Sequence, residues 1–362
     1  MKKVLLYTIL LFSILTISSN AVSASSEKTK KIVNEVGTII KSDELSKLSL
    51  IGLNQVEIDY LTEIDLDRYM SLNVESSSVT KKFVETKTYL DGDEFIFVDT
   101  ELTETEFNER VKLEKDKNSK SNTNVELGSD FVMVRSLEVV AVPAETTYKI
   151  LTTTISYDSA TYNTVRNYVH VKVSLEWKII PKVRKEDLIA ITHDSALWTI
   201  DKDSSGLPEF YGKQIYGWSE YDTVNCESTN DICPDSEQII TINYNNGSTN
   251  NYRNLTSTGI TLMQNIKNDY IWGQGGEEFG SVVTSLYQTI EGGFHTIQST
   301  VTSGVFWGAY RHRTDTLGSF ILENVTLSIT YSDIIKYATK WYRDDPSYDT
   351  TLYSTAEMDL LP

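Results

Sequence analysis

The stretch Tyr168-Val169-His170-Val171-Lys172-Val173-Ser174-Leu175-Glu176-Trp177-Lys178 alternates strictly between apolar and polar side chains. Successive side chains on an extended strand point to opposite faces. Val169, Val171, Val173, Leu175 and Trp177 therefore share one face, and His170, Lys172, Ser174, Glu176 and Lys178 the other. One apolar and one polar face describes an antiparallel sheet with a core on one side and water on the other. Similar runs recur at Phe131 to Val142, Tyr148 to Tyr157, Gln238 to Tyr244 before the turn pair Asn246-Gly247, Ser281 to Ile290, Phe294 to Ser303 and Phe320 to Tyr331. With no long helices between them, these runs predict a mainly β chain, an antiparallel β-sandwich with a small α+β N-terminal part.

Upstream, the pattern changes. Ser42 to Met70 reads as two short helices, with Asn54 and Glu57 spaced as a capping box and Thr62 opening the second. Residues 79 to 103 read as a β-hairpin turning at Asp91-Gly92. Lys112 to Ser129 mixes charge with small polar residues and shows no apolar face, the signature of a flexible connection. The expected organisation is a leader at 1–24, a helical and hairpin region at 25–111, a linker at 112–129, a sandwich at 130–335 and a C-terminal extension at 336–362.

The leader reading rests on Met1-Lys2-Lys3, an apolar run from Val4 to Ile17, and small residues ending at Ala24. That run is shorter than the roughly 20 residues that span a bilayer as a helix, so a secreted chain without a stable membrane anchor is expected. The Cys226 and Cys233 pair suits an oxidising compartment, where it would close a small loop as a disulfide. Against 51 Asp and Glu stand 33 Lys and Arg, a net charge of −18, so the long-range field repels nucleic acid.

Several scattered segments carry a likeness. Ile51-Gly52-Leu53 with Glu57 to Glu63, Trp177 to Asp187, and Tyr310-Arg311-His312 resemble features of uncharacterised secreted proteins of Gram-positive bacteria. The resemblance implies secretion and a two-part architecture, and it transfers no catalytic residue.

Three functions compete. The first is a non-catalytic extracellular binding module for a glycan, a wall polymer or a surface protein. Its candidate ligand-binding rings are Tyr211, Tyr216, Trp218 and Tyr221, because flat rings stack on sugar faces. The second is a β-pore-forming, toxin-like protein. Phe279 to Tyr310 holds one formal charge, Glu291, beside Gly292-Gly293, so residues 281–303 read as a membrane-crossing hairpin with a charged tip. The third is a glycan hydrolase using Glu277 or Glu278, although no catalytic residue is assigned. No cofactor is implied beyond a structural calcium ion, for which Asp201, Asp203, Ser205 and Glu209 are candidate ligands at the spacing of a calcium loop that lacks its closing Glu.

Overall fold

The computed structural model describes residues 31–91, 94–121, 143, 145–162, 166–181, 184, 186–202, 204–222, 234–244, 252–267, 269–274, 277–312 and 352–360. The leader, Asp203, Cys226, Cys233, the turn pair Asn246-Gly247 and the runs Phe131 to Val142 and Phe320 to Tyr331 lie outside them.

The chain opens with β1 (Lys31–Val33), β2 (Ile39–Lys41) and three short helices, α1 (Ser42–Leu50), α2 (Gln55–Asp59) and α3 (Glu63–Ser71). Then come β3 (Val74–Asp91), β4 (Glu94–Leu102), α4 (Glu104–Ser121), β5 (Glu145–Tyr162), β6 (Arg166–Ile179), β7 (Glu186–His193), β8 (Trp198–Ile200) and β9 (Phe210–Asp222). The rest is strand: β10 (Pro234–Asn243), β11 (Tyr252–Thr256), β12 (Gly259–Asn265), β13 (Tyr270–Gln274), β14 (Glu277–Thr296), β15 (Ser303–His312) and β16 (Leu352–Asp359).

The protein is mainly β and its sheets are antiparallel. A nine-stranded sheet runs in the order β10-β9-β14-β6-β5-β3-β4, with β13 and β8 also pairing with β14, and a five-stranded sheet runs β11-β12-β7-β15-β16. The apolar face of β6 lies against the second sheet. Val169, Val171, Val173, Leu175 and Trp177 join Ile189, Ile191, Ile260, Leu262, Phe306 and Ala356 in one buried cluster. Burial of apolar area at about 25 cal/mol per Å² makes that cluster the main stabilising term.

The helices form where the local chemistry places them. Asn54 Oδ1 accepts from the Glu57 amide at 3.0 Å while the Glu57 carboxylate accepts from the Asn54 amide at 3.1 Å, closing the capping box. Thr62 caps α3 through the Asp65 amide. A further helix, α1, precedes these two. Gly52, between α1 and α2, has a φ of +87°, and a Cβ there would stand 2.5 Å from Thr154 Oγ1, so only glycine lets the helices approach the sheet this closely.

The segments around the expected boundaries take these places in the fold. The β3–β4 hairpin forms with Asp91 opposite Glu94, but it belongs to the large sheet, since β3 pairs with β5. Strands from before and after residues 112–129 thus share one sheet. The first part of the expected linker is α4, opened by a Thr103–Glu106 capping box and docked through Phe107 and Val111 onto Tyr148 and Leu102. Two apolar residues one turn apart suffice there because the sheet supplies the rest of the contact. The expected C-terminal extension contains β16, which pairs with β15 as an edge of the second sheet.

The expected 281–303 hairpin is the largest correction. Residues 277–296 are a single strand that passes through the centre of the large sheet, with Glu291 opposite both Lys172 and Tyr211. Gly292-Gly293 make no turn. A Cβ on Gly293 would stand 2.0 Å from the Tyr168 hydroxyl, so the glycine makes room for a ring on the neighbouring strand.

His193 sits between the sheets, with its ring centroid 5.1 Å from that of Phe294 and 6.1 Å from that of Phe306. Burial pushes its pKa down from 6.5 to about 4. The unfolded chain therefore binds a proton before the folded one does, so stability is full above about pH 6.5 and falls as pH drops toward about 4. The loss approaches about 3 kcal/mol at one pKa unit per 1.36 kcal/mol. Urea midpoints measured between pH 6.5 and 5 should fall in the wild type and fall less in His193→Leu; equal slopes would refute the assignment.

Candidate ligand cleft between the helices and the sheet

Much of the polar face of β6 is not wet. His170, Lys172 and Ser174 are buried, and Lys172 keeps only 1 % of its surface. What covers the outer face of the large sheet here is the helical layer, and the contacts are charged.

Lys172 Nζ bonds the Glu57 carboxylate at the start of α2. It also donates to the Gly52 carbonyl at 3.3 Å, and the Tyr287 hydroxyl donates to Glu57 Oε2 at 2.7 Å. Across β14, Glu291 is 3 % exposed and is held by four contacts. Arg68 of α3 donates to Oε1 at 2.5 Å, Tyr69 donates to both oxygens at 2.8 and 2.9 Å, and His170 Nε2 lies 3.2 Å from Oε2. At the rim, Lys213 of β9 donates to Asp65 Oδ2 at 2.6 Å. The Arg68 guanidinium carbon stands 4.3 Å from the Tyr69 ring centre and 4.0 Å from that of Tyr211.

The electrostatics follow from this packing. Burial alone would raise the Glu291 carboxyl, but the Arg68 charge, the His170 hydrogen bond and Lys172 override it and hold it well below the usual carboxylate range. Burial followed by the Glu291 charge raises the Tyr69 phenol well above 10. Burial and the Glu209 hydrogen bond push Tyr211 up to about 12. A general acid at neutral pH needs a carboxyl raised toward 7, and Glu291 is displaced in the opposite direction.

Between α3 and strands β9, β10 and β14 lies a cleft of about 500 Å³. Its lining includes Arg68, Tyr211, Lys213, Thr241, Asn243 and Glu291, with Ile64 at the mouth, 82 % exposed.

The sequence-selected rings divide. Alternation along β9 turns Tyr211 toward this cleft and turns Tyr216 and Trp218 inward, where they are 5 % and 6 % exposed within the sandwich cluster. Burial removes Tyr216 and Trp218 from a sugar-stacking surface. Tyr221 lies opposite Pro234 and Gly280 in the sheet, away from the cleft. Asp201 and Glu209 are joined by a backbone hydrogen bond of 2.9 Å beside a Lys202–Pro208 bridge. The Asp201 carboxylate accepts from the Lys202 amide, and Glu209 accepts from the Tyr211 hydroxyl. Among the described residues no group of three His, Cys, Asp or Glu converges as a metal site. Glu277 and Glu278 begin β14, opposite Gln274 and Gly273 of β13, at the end of the strand remote from Glu291.

Glu57, Arg68, Tyr69, His170, Lys172 and Glu291 were absent from the sequence-based set. The available signals were Glu291 as the lone charge of its segment and the capping role of Glu57.

No family model matches the chain, and no curated protein matches it. The resemblance to Gram-positive secreted proteins gains no support from them. Among the solved structures that share a likeness are a pore-forming protein at 7 % identity and TM-score 0.21, spanning 46 % of this chain and 74 % of that one, and Clostridium perfringens delta-toxin at 8 % identity and TM-score 0.22, spanning 60 % and 87 %. At such TM-scores neither carries an argument about fold or activity.

The cluster yields a test of its energetics. Arg68→Leu strands the Glu291 charge and should cost about 3–5 kcal/mol in denaturant unfolding, whereas Arg68→Leu with Glu291→Gln should recover most of that loss. Equal destabilisation in the single and double variants would show that Arg68 acts through packing alone.

Proposed function

We propose that this protein is an extracellular, non-catalytic binding module whose ligand is a glycan or a sugar-containing wall polymer seated in the cleft between α3 and the sheet. The observation that carries this reading is the cleft lining. A half-buried tyrosine and an exposed isoleucine stand beside the polar groups of Thr241, Asn243, Thr289, Arg68 and Lys213. Sugars present one apolar C–H face and a rim of hydroxyls, and recognition sites answer with a ring plus convergent polar groups. The leader pattern and the cysteine pair support an address outside the cytoplasm.

The ion pairs of Glu57 and Glu291 serve recognition by fixing the walls, since a preorganised site loses less freedom on binding. Tyr211 lines the cleft, with the Arg68 guanidinium carbon 4.0 Å from its ring centre and its hydroxyl donated to Glu209.

A glycan array should return defined hits, and calorimetry with a hit should show Tyr211→Ala losing at least about tenfold in affinity, the scale of one well-placed aromatic contact. Binding unchanged in Tyr211→Ala and in Asn243→Ala would place the ligand elsewhere. Thiol titration of the denatured, unreduced secreted protein should find no free cysteine; two free thiols would remove the disulfide from the reading.

A further inference from the structure

We propose that the α1–α3 layer is a separable cap, held to the large sheet by charge, that lifts away while the sandwich stays folded. Three observations carry it together.

The first is that the helical layer has an apolar cluster of its own. Ile40, Leu48, Ile51, Leu53, Ile58, Leu61, Leu66 and Tyr69 pack on one another, apart from the sandwich cluster. The residues packed against it include Val74, the first residue of β3, so apolar burial binds the cap chiefly to itself and touches the sheet at that end.

The second is the character of the joint. It is made by Glu57–Lys172, Arg68–Glu291 and Asp65–Lys213, with the tyrosine hydroxyls of Tyr69 and Tyr287 bridging. The sheet surface beneath is Thr154, Ser156, His170, Lys172 and Ser174, all buried. Buried ion pairs gain little net free energy because the desolvation they undergo nearly offsets their attraction, and on opening both partners regain water. An apolar interface has no such compensation. Separation at this joint therefore costs far less than separation of the two sheets, the usual condition for opening of one part of a fold.

The third is the connection. Among the described residues the cap continues into the sheet through Leu72 and Asn73, where the helical backbone gives way to an extended one. The cleft already parts α3 from β9 and β14 along one side. Lifting would open that cleft along its length and bring Lys172, His170 and Glu291 to the surface. The inference stands whatever the cleft binds.

Adjacent positions on β5 provide the test. Thr154 lies on the outer face beneath Gly52, and Ile155 lies on the inner face within the sandwich cluster. In a Cys226→Ser, Cys233→Ser background, native-state thiol labelling of Thr154→Cys should run at least about 100-fold faster than that of Ile155→Cys. Adding Lys172→Met leaves Glu57 buried without its countercharge until the cap lifts, and should speed labelling at 154 by on the order of 100-fold while leaving 155 unchanged. Lys213→Ala, which removes only the rim pair, should speed it by up to about fivefold. Equal labelling of the two cysteines in the parent would mean that Thr154 is reached only by global unfolding, and would overturn the proposal. So would equal acceleration of both by Lys172→Met or by Lys213→Ala.

Discussion

Glu291 is a carboxylate in the middle of a strand that is hydrogen-bonded on both sides, in a position with almost no access to water. An isolated ionised carboxylate in such a place would be prohibitively costly or would take up a proton. The chain satisfies it from outside the sheet, with Arg68 and Tyr69, consecutive residues of one helix, and from within, with His170 on β6. This requirement ties the N-terminal layer to the large sheet and fixes where α3 sits. The cleft follows, because α3 can reach Glu291 with Arg68 only by standing above β9 and β14, and the space left beside it is the cavity.

A second buried pair, Lys172 with Glu57, locks the register of that contact. Two ionic anchors on neighbouring strands, one to α2 and one to α3, fix both position and rotation of the helical layer, which a single anchor would leave free. Buried ion pairs contribute weakly to stability, and their best-attested service is to specify one arrangement over others. Here that specificity falls on an interface whose sheet side is Thr154, Ser156, His170, Lys172 and Ser174, polar residues that give hydrophobic packing little to act on.

The alternation of Tyr168 to Lys178 made the inner face of β6 and its sheet partner legible at once, because period-two apolar residues have one economical placement. The caps at Asn54 and Thr62 were equally legible, since capping is local chemistry. The site was not. Polarity on an alternating strand reads as solvent exposure unless something distant covers it, and the cover comes from residues more than a hundred positions upstream. Glycine pairs read as turns for the same reason: Gly292-Gly293 answers a ring at Tyr168 that only the folded sheet brings near. The ring cluster on β9 failed differently. Composition counts aromatics without parity, and parity sends Tyr216 and Trp218 into the core while Tyr211 alone faces the cleft.

Lone charges are the transferable signal. In Phe279 to Tyr310 the single carboxylate looked like a hairpin tip, on the premise that a charge marks where a strand meets water. The opposite premise holds when the flanking residues are apolar or small on both sides for a whole strand length: the charge must then have a partner of opposite sign elsewhere in the chain, and the helix-borne Arg68 is that partner. Lys172 shares its strand face with His170, Glu176 and Lys178 and so gives no such signal, yet it too is buried and finds Glu57, whose carboxylate also closes the capping box of α2. One carboxylate thus starts a helix locally and anchors it globally, so the start of α2 and its docking on the sheet are coupled through a single side chain.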